Sequence, residues 1–384
     1  MDVSTVIIKR VVIYSFKNIH NLVFDLQDGE NLVIEGKNGL GKSNILNSIY
    51  WCLTGYDLSG CSDNEAFVTY GHEEEGIVDV EVTTNVGKFE RICKRDAKGT
   101  LTSSLIIDGV PADTLKDGEI EIDKRLGILP FTFSNFINKD FNLRRFLLNP
   151  SYHFGLAPKT IRDVLAKQIS QTLKKEVAFN QLFLDLLKEN EVEFTPNTVY
   201  ETIERLTAKL EADKKYLKTQ KELYTTVSGY LATVKSGVDE KVKDDLQFQI
   251  KETTDAIGKI EDKLMILDSG RQSLNSALEE AQKGLVRVKF QTTTAKGVKK
   301  NDYKIESTGI DLKQVSTSES VMDSFELVEN WKSAVGCSVS LPIFIDRAES
   351  MNIEKIKDLS LFHQVLYTKV TSGRRIKINN EEVQ

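Results

Sequence analysis

Residues Gly36-Lys37-Asn38-Gly39-Leu40-Gly41-Lys42-Ser43 satisfy the pattern G-x-x-x-x-G-K-[ST] at every fixed position, and no other stretch of the chain restricts its fold so tightly. Glycine backbone lets such a loop curl until successive N–H groups converge on one anion. A helix that starts where the loop ends adds its positive pole to the same spot. Both flanks fit. Asn31–Glu35 is an apolar run suited to a strand, and Lys42–Leu53 carries a helical pattern that is amphipathic from Asn44 onward. In a strand–loop–helix unit of this kind Lys42 is placed to reach β- and γ-phosphates, and the Ser43 hydroxyl to ligate Mg²⁺. A glycine-rich turn without a ligand would need neither flank. The expected ligands are therefore ATP and Mg²⁺, with Gly36, Lys37, Asn38, Gly39, Leu40, Gly41, Lys42 and Ser43 as the phosphate cradle.

A metal-side carboxylate should complete such a site. Leu341-Pro342-Ile343-Phe344-Ile345-Asp346 is an apolar strand ending in Asp, the form of a Walker B element, so Asp346 is the candidate. It lies far downstream of the loop, beyond a long helical pattern. Positions 199, 203, 206, 210, 213, 217, 220, 224, 227, 231, 234 and 238 alternate steps of four and three and are mostly apolar. A second series runs from Leu246 through Ile257, Leu264 and Leu274 to Leu285 and Val288. Heptad stripes of this kind bury themselves against a partner helix. Ser236-Gly237-Val238-Asp239 between them has the chemistry to reverse the chain. The pattern predicts an antiparallel helical hairpin, with arms of roughly 55–75 Å at 1.5 Å per residue. Two long helices within a compact helical domain would give the same stripes. The heavily charged faces off the stripes favour a projecting arm.

Elsewhere the patterns predict short strands at Val6–Tyr14, Leu22–Leu26, Val78–Thr84, Lys88–Lys94 and Leu101–Ile107, and a helix at Lys159–Leu173 after Pro158. At 384 residues and 40% hydrophobic, the chain has ample material for a core. A net charge of −6 excludes a protein that binds nucleic acid through bulk basicity, so any DNA contact must be a local patch. Lys296, Lys299 and Lys300, and Arg374, Arg375 and Lys377, are the candidates, though solvated charge near loop ends explains them as well. Cys52, Cys61, Cys93 and Cys337 lie far apart, which excludes a zinc ribbon and gives no disulfide framework. The four histidines show no HExxH or paired-ligand spacing, and Gly-x-Ser-x-Gly is absent. No apolar run is long enough for a bilayer and no secretory segment opens the chain, so a cytoplasmic protein with no membrane partner is expected.

These motifs in this order resemble the SMC/RecF/RecN/SbcC group of ABC-type ATPases, particularly its short-armed phage and bacterial members. The resemblance rests on Ile7–Asn18, on Leu32-Val33-Ile34-Glu35 leading into Gly36, on Asn47–Gly55 after the loop, and on the Asp346 strand. It implies an α/β fold: a P-loop ABC-type head of mixed sheets with flanking helices, interrupted by an antiparallel coiled-coil arm. Residues 1–198 and 289–384 would form the two lobes of the head, and 199–288 the arm. It further implies heads that dimerise around ATP, action on DNA in recombination or repair, and a possible nuclease or other protein partner.

Carried over residue by residue, the resemblance assigns Lys17, in Tyr14–Asn18, to approach the nucleotide. It assigns Asn138 to the place where a glutamine usually couples metal and γ-phosphate. Ser316 and Ser318 fall in the region of the signature loop, here without its glycine pair, where a serine-rich loop or helix cap is the other reading. The usual catalytic Glu after the Walker B Asp is replaced by Arg347, which leaves Glu349 as the candidate base and Asp346 as its catalytic and metal-side neighbour. The switch histidine is replaced by Thr368-Lys369, while His363 begins that strand at the wrong end. ATP binding is thus expected with weak turnover. The alternative is an ATP-gated scaffold or defence-type regulator that binds a protein effector and hardly hydrolyses.

Overall fold

The computed structural model describes residues 5–69, 71, 76–132, 142–149, 151–152, 181–189, 199–233, 240–281, 286–295, 298–307, 309–311 and 317–382. They belong to two units: Met1–Val164 with Gly284–Gln384, and Leu165–Lys283. The first unit is therefore assembled from both ends of the chain.

Strands β1 (Ile8–Phe16), β2 (Ile19–Asp25) and β3 (Leu32–Gly36) precede helix α1 (Lys42–Thr54). Next come β4 (Val78–Thr84), β5 (Lys88–Arg95), β6 (Leu101–Ile107), β7 (Val110–Pro111), α2 (Leu115–Arg125), α3 (Leu129–Thr132) and α4 (Leu143–Leu148). Helices α5 (Gln181–Glu189), α6 (Val199–Thr233) and α7 (Glu240–Ala281) make up the described part of the second unit. The chain then returns through β8 (Val286–Ala295), β9 (Val298–Ser307), β10 (Ile310–Asp311), α8 (Thr317–Val335) and β11 (Ile343–Ile345). It ends with α9 (Ile353–Ser360), β12 (Val365–Val370), β13 (Lys377–Ile378) and β14 (Glu381–Glu382).

One sheet has the order β2-β1-β4-β5-β6-β7 and a second β11-β12-β3-β13-β14. In the second, β11, β12 and β3 run parallel, with Lys369 opposite Glu35 and Val370 opposite Gly36. Parallel strands buried on both faces read as continuous apolar runs, which is why Ile343–Ile345 and Leu32–Ile34 lack polar alternation. Side-chain amides join the two sheets. Ile8 N donates to Gln364 Oε1 at 2.7 Å, and Gln364 Nε2 donates to the Ile8 and Glu30 carbonyls at 2.9 and 2.7 Å.

Helix α1 is more deeply placed than an amphipathic pattern implies. Every residue from Ser48 to Thr54 is buried, and the helix touches strands of both sheets. Trp51 packs with Phe16 and Phe67 of the first sheet's side, while Tyr50 meets Phe344 of β11 edge-on at 5.4 Å. That half is apolar but for Ser48 and Thr54, whose hydroxyls donate to the Ile45 and Tyr50 carbonyls, so it can be buried on every side. Its last carbonyls are met by two buried arginines. Arg91 Nε donates to Cys52 O at 3.0 Å, and Arg144 Nη1 donates to Leu53 O at 2.5 Å. Arginine at a helix C-terminus satisfies orphan carbonyls and opposes the negative pole. Both guanidiniums share Glu119, and Arg144 also pairs with Asp123. Burial alone would raise the pKa of Glu119, but Arg91 and Arg144 outweigh it and hold the carboxyl below its usual range.

Asp79 in β4 is a local weakness. Among the described residues its Oδ1 has no hydrogen-bond partner, and burial, followed by the charge of Glu90, pushes its pKa up to about 6. The unfolded value is about 3.9, so the folded chain binds the extra proton between roughly pH 4 and 6. Stability must then fall as pH rises through that window and stay lower above it. Asp79→Asn should raise the urea midpoint at pH 7, and the gain should vanish below about pH 4.

In the second unit, α6 and α7 lie against one another over 35 and 42 residues, with Lys221 bonded to Glu261 at 2.7 Å. Most of the apolar stripe positions form the covered side, although Tyr224 is exposed. Ile203, Leu206, Leu210, Leu264, Leu267 and Leu274 are buried, and Leu217, Leu246 and Ile257 half-buried. Burial is deepest at that end, where α5 adds a third surface through Leu187. The second stripe stops short of its expected end: helix gives way after Ala281, and Val286–Ala295 is a strand. There Val286 and Val288 alternate with Arg287 and Lys289, and a period of two overrides one of 3.5. The expected turn at Ser236–Asp239 and the expected helix Lys159–Leu173 lie outside the described residues. No described helix is long and apolar enough to cross a membrane.

Candidate nucleotide site

The loop Gly36–Gly41 runs from the C-terminal end of β3 into α1, whose first residue is Lys42. Ligands of open α/β sheets bind outside the carboxyl ends of the strands. Gly41 adopts φ +98°, and a Cβ there would stand 2.6 Å from the Asn18 amide, so the position requires glycine twice over. Gly39, at φ +82°, would carry its Cβ into open space. The Lys42 side chain is buried, and its ammonium donates to Lys37 O at 2.8 Å, folded over the loop it serves. Lys37 N in turn donates to Gly373 O at 3.1 Å, and Leu40 packs back toward Gly36.

The loop opens on a cavity of about 630 Å³ lined by Asn18, Asn38, Gly39, Gly41, Lys42, Ser43, Asn44, Arg347, Glu349, Thr368 and Val370. Residues from the two ends of the chain thus share one wall. The bridge between them is Asp346. Its Oδ1 accepts the Ser43 hydroxyl at 2.9 Å and the Thr368 hydroxyl at 2.6 Å. Thr368 Oγ1 also accepts the Arg347 N–H at 2.8 Å, which fixes the turn after β11. That turn is pegged on either side of exposed Glu349 by buried Ala348 and Met351. Both belong to a core cluster with Ile343, Ile345, Ile356 and Val365.

The donor set suits Mg²⁺. Ser43 gives its one hydrogen to Asp346, which leaves oxygen lone pairs toward the cavity. Hard oxygen ligands, few from the protein and the rest from phosphate and water, are what Mg²⁺ takes. The described residues contain no group of three His, Cys, Asp or Glu side chains that could hold a metal ion unaided. The triphosphate chemistry suits the loop as well: a glycine loop ahead of α1 offers backbone N–H groups and the helix's positive pole, with the Lys42 ammonium folded over it.

The remaining candidates are placed differently. Lys17, at φ +53°, directs its ammonium to Asp57, 3.9 Å away, and over the rings of Phe16 and Phe67. From the same turn it is Asn18 that lines the cavity, bonded to Asn44 Nδ2 at 2.7 Å. Ser318 lies in the first turn of α8, while Ser316 and Asn138 fall outside the described residues. His363 is buried beside the Leu341 carbonyl, before β12 begins and away from the cavity lining. Lys369 pairs with Glu35 across the parallel strands. Lys296 is not described, Lys299 and Lys300 lie on β9, and Arg375 pairs with Glu382. The lining residues to which sequence reasoning gave no role are Asn18, Asn44 and Val370, while Thr368 stands where the resemblance puts the switch histidine and instead bonds Asp346.

Residues 10–283 match the model of the AAA_23 family, described as an AAA domain. No curated protein matches the sequence. Among solved structures, the chain is similar to the recombination mediator protein RecF-ATP in the RecFOR pathway. The identity is 14% and the TM-score 0.42, with 96% of this chain and 93% of that chain covered.

Proposed function

Because the chain belongs to the AAA_23 family of AAA domains, an SMC/RecF-like ATPase family, we propose that it binds ATP with Mg²⁺ in the cavity under the Gly36–Ser43 loop. The observation that carries this is the Ser43–Asp346 bond, which joins the loop to a strand-end carboxylate 303 residues away. In this reading the backbone of residues 36–43 and Lys42 bind the phosphates. Ser43 and Asp346 hold the metal, which neutralises charge on the phosphates. Glu349, at the solvent side of the cavity, orients water for attack. The first unit is the head and α6–α7 an antiparallel coiled-coil arm inserted within it. Two heads close on ATP, since contacts available only in the closed form shift the population toward it. The output, by the motif resemblance, is DNA handling in recombination or repair inside the cell.

Glu349→Gln tests the enzyme reading. It should preserve ATP binding and ATP-dependent dimerisation in sedimentation, and lower turnover by about 10²–10⁴-fold, the usual cost of a lost general base. DNA should change the wild-type rate. A second reading is favoured by Arg347 in the cavity wall: a nucleotide-gated scaffold with little hydrolysis. Wild type without measurable turnover, together with a silent Glu349→Gln, would select it.

A further inference from the structure

We infer that Arg347 reads the terminal phosphate, so that the site distinguishes a nucleoside triphosphate from a diphosphate; this rests on the reading of the cavity as the Mg²⁺–ATP site. Arg347 follows Asp346 directly, and a strand continued through it would send the two side chains to opposite faces. The chain does otherwise. Arg347 turns left-handed at φ 59°, ψ 49°, a region that a long side chain rarely occupies. The turn is held by the Thr368 hydroxyl at its N–H, and Arg347 lines the cavity together with Lys42 and Ser43. Disfavoured backbone that is fixed by a dedicated hydrogen bond points to a used side chain.

Position decides what that side chain meets. A cation held by Ser43 and Asp346 would neutralise charge on the phosphates beside it. Arg347 is rooted one residue from that carboxylate, about 3.8 Å along the backbone. Lys42 approaches from the loop, whereas Arg347 approaches from the wall built by β11 and β12. The γ-phosphate has three terminal oxygens, and a planar guanidinium matches a pair of them with parallel N–H bonds. A diphosphate lacks that group and would leave the contact unmade. Glu349, two residues on, adds a carboxylate to the cavity lining, so a positive group at Arg347 also offsets its repulsion of the phosphate.

The test uses the full chain with Mg²⁺ and measures the affinities of a non-hydrolysable ATP analogue and of ADP by calorimetric titration. Arg347→Asn removes the guanidinium but keeps a residue that tolerates left-handed backbone. Arg347→Gly, which adopts it freely, serves if the first variant folds poorly. The expected result is a loss of about tenfold or more for the triphosphate, the scale of one charge-assisted contact, with ADP affinity within about twofold of wild type. Equal losses for both nucleotides, or none for either, would overturn the inference while leaving the site in place. Wild type that binds neither nucleotide would overturn the site, and the inference with it.

Discussion

Lys42→Ala should lower ATP affinity by about 10²-fold or more, the scale set by losing several charge-assisted hydrogen bonds. The ammonium is already folded over the loop at Lys37 O, so the wild type loses little side-chain freedom when phosphate oxygens replace that carbonyl. The variant should remain folded. Alanine suits the first turn of α1, and freeing one loop carbonyl costs on the order of 1 kcal/mol. Calorimetric titration alongside thermal melting separates the two effects. Unchanged affinity in a folded variant would remove the phosphate cradle from this loop.

The largest stability effect is expected at Arg144, remote from the cavity. Arg144→Met would leave buried Asp123 without its arginine, strip half-buried Glu119 of one of its two arginines and take away the donor at the Leu53 carbonyl. Removing one partner from a buried ion pair costs about 3–5 kcal/mol, far above a typical surface change. The denaturant midpoint of the first unit should fall accordingly. Adding Asp123→Asn should recover part of the loss, because that stranded charge goes with it while Glu119 stays paired with Arg91. A loss below about 1 kcal/mol would show that the network is solvated rather than buried. The far end of α1 is anchored here, so the single variant should also weaken nucleotide binding through the position of the α1 N-terminus.

The local features of the site were legible in the sequence. The loop glycines, Lys42 and Ser43 act through backbone and neighbours within one turn, and β4 and β6 fall where alternation placed them, at Val78–Thr84 and Leu101–Ile107. The stripes through Ile203, Leu210, Leu264 and Leu274 were equally plain, since helix burial repeats along the chain. Misjudged were features that depend on what lies across space. Helix α1 reads as amphipathic along its length, yet its second half, Ser48–Thr54, is buried on every side because strands of both sheets pack against it. The start of β8 falls on the helical stripe, because Leu285 and Val288 continue the heptad spacing until a partner strand decides otherwise.

By itself, then, the sequence determined where the glycine-rich loop leads into α1 and which helix faces are covered, because those depend on spacing along one element. Tertiary structure alone decided that Ser43 and Asp346 meet, that Thr368 ties Asp346 to Arg347, and that Asn18 rather than Lys17 lines the cavity. The physical reason is the parallel pairing of β3 with β12 and of β12 with β11. Hydrogen bonds between these strands fix a register that no local pattern records, and they bring residues hundreds of positions apart onto one wall.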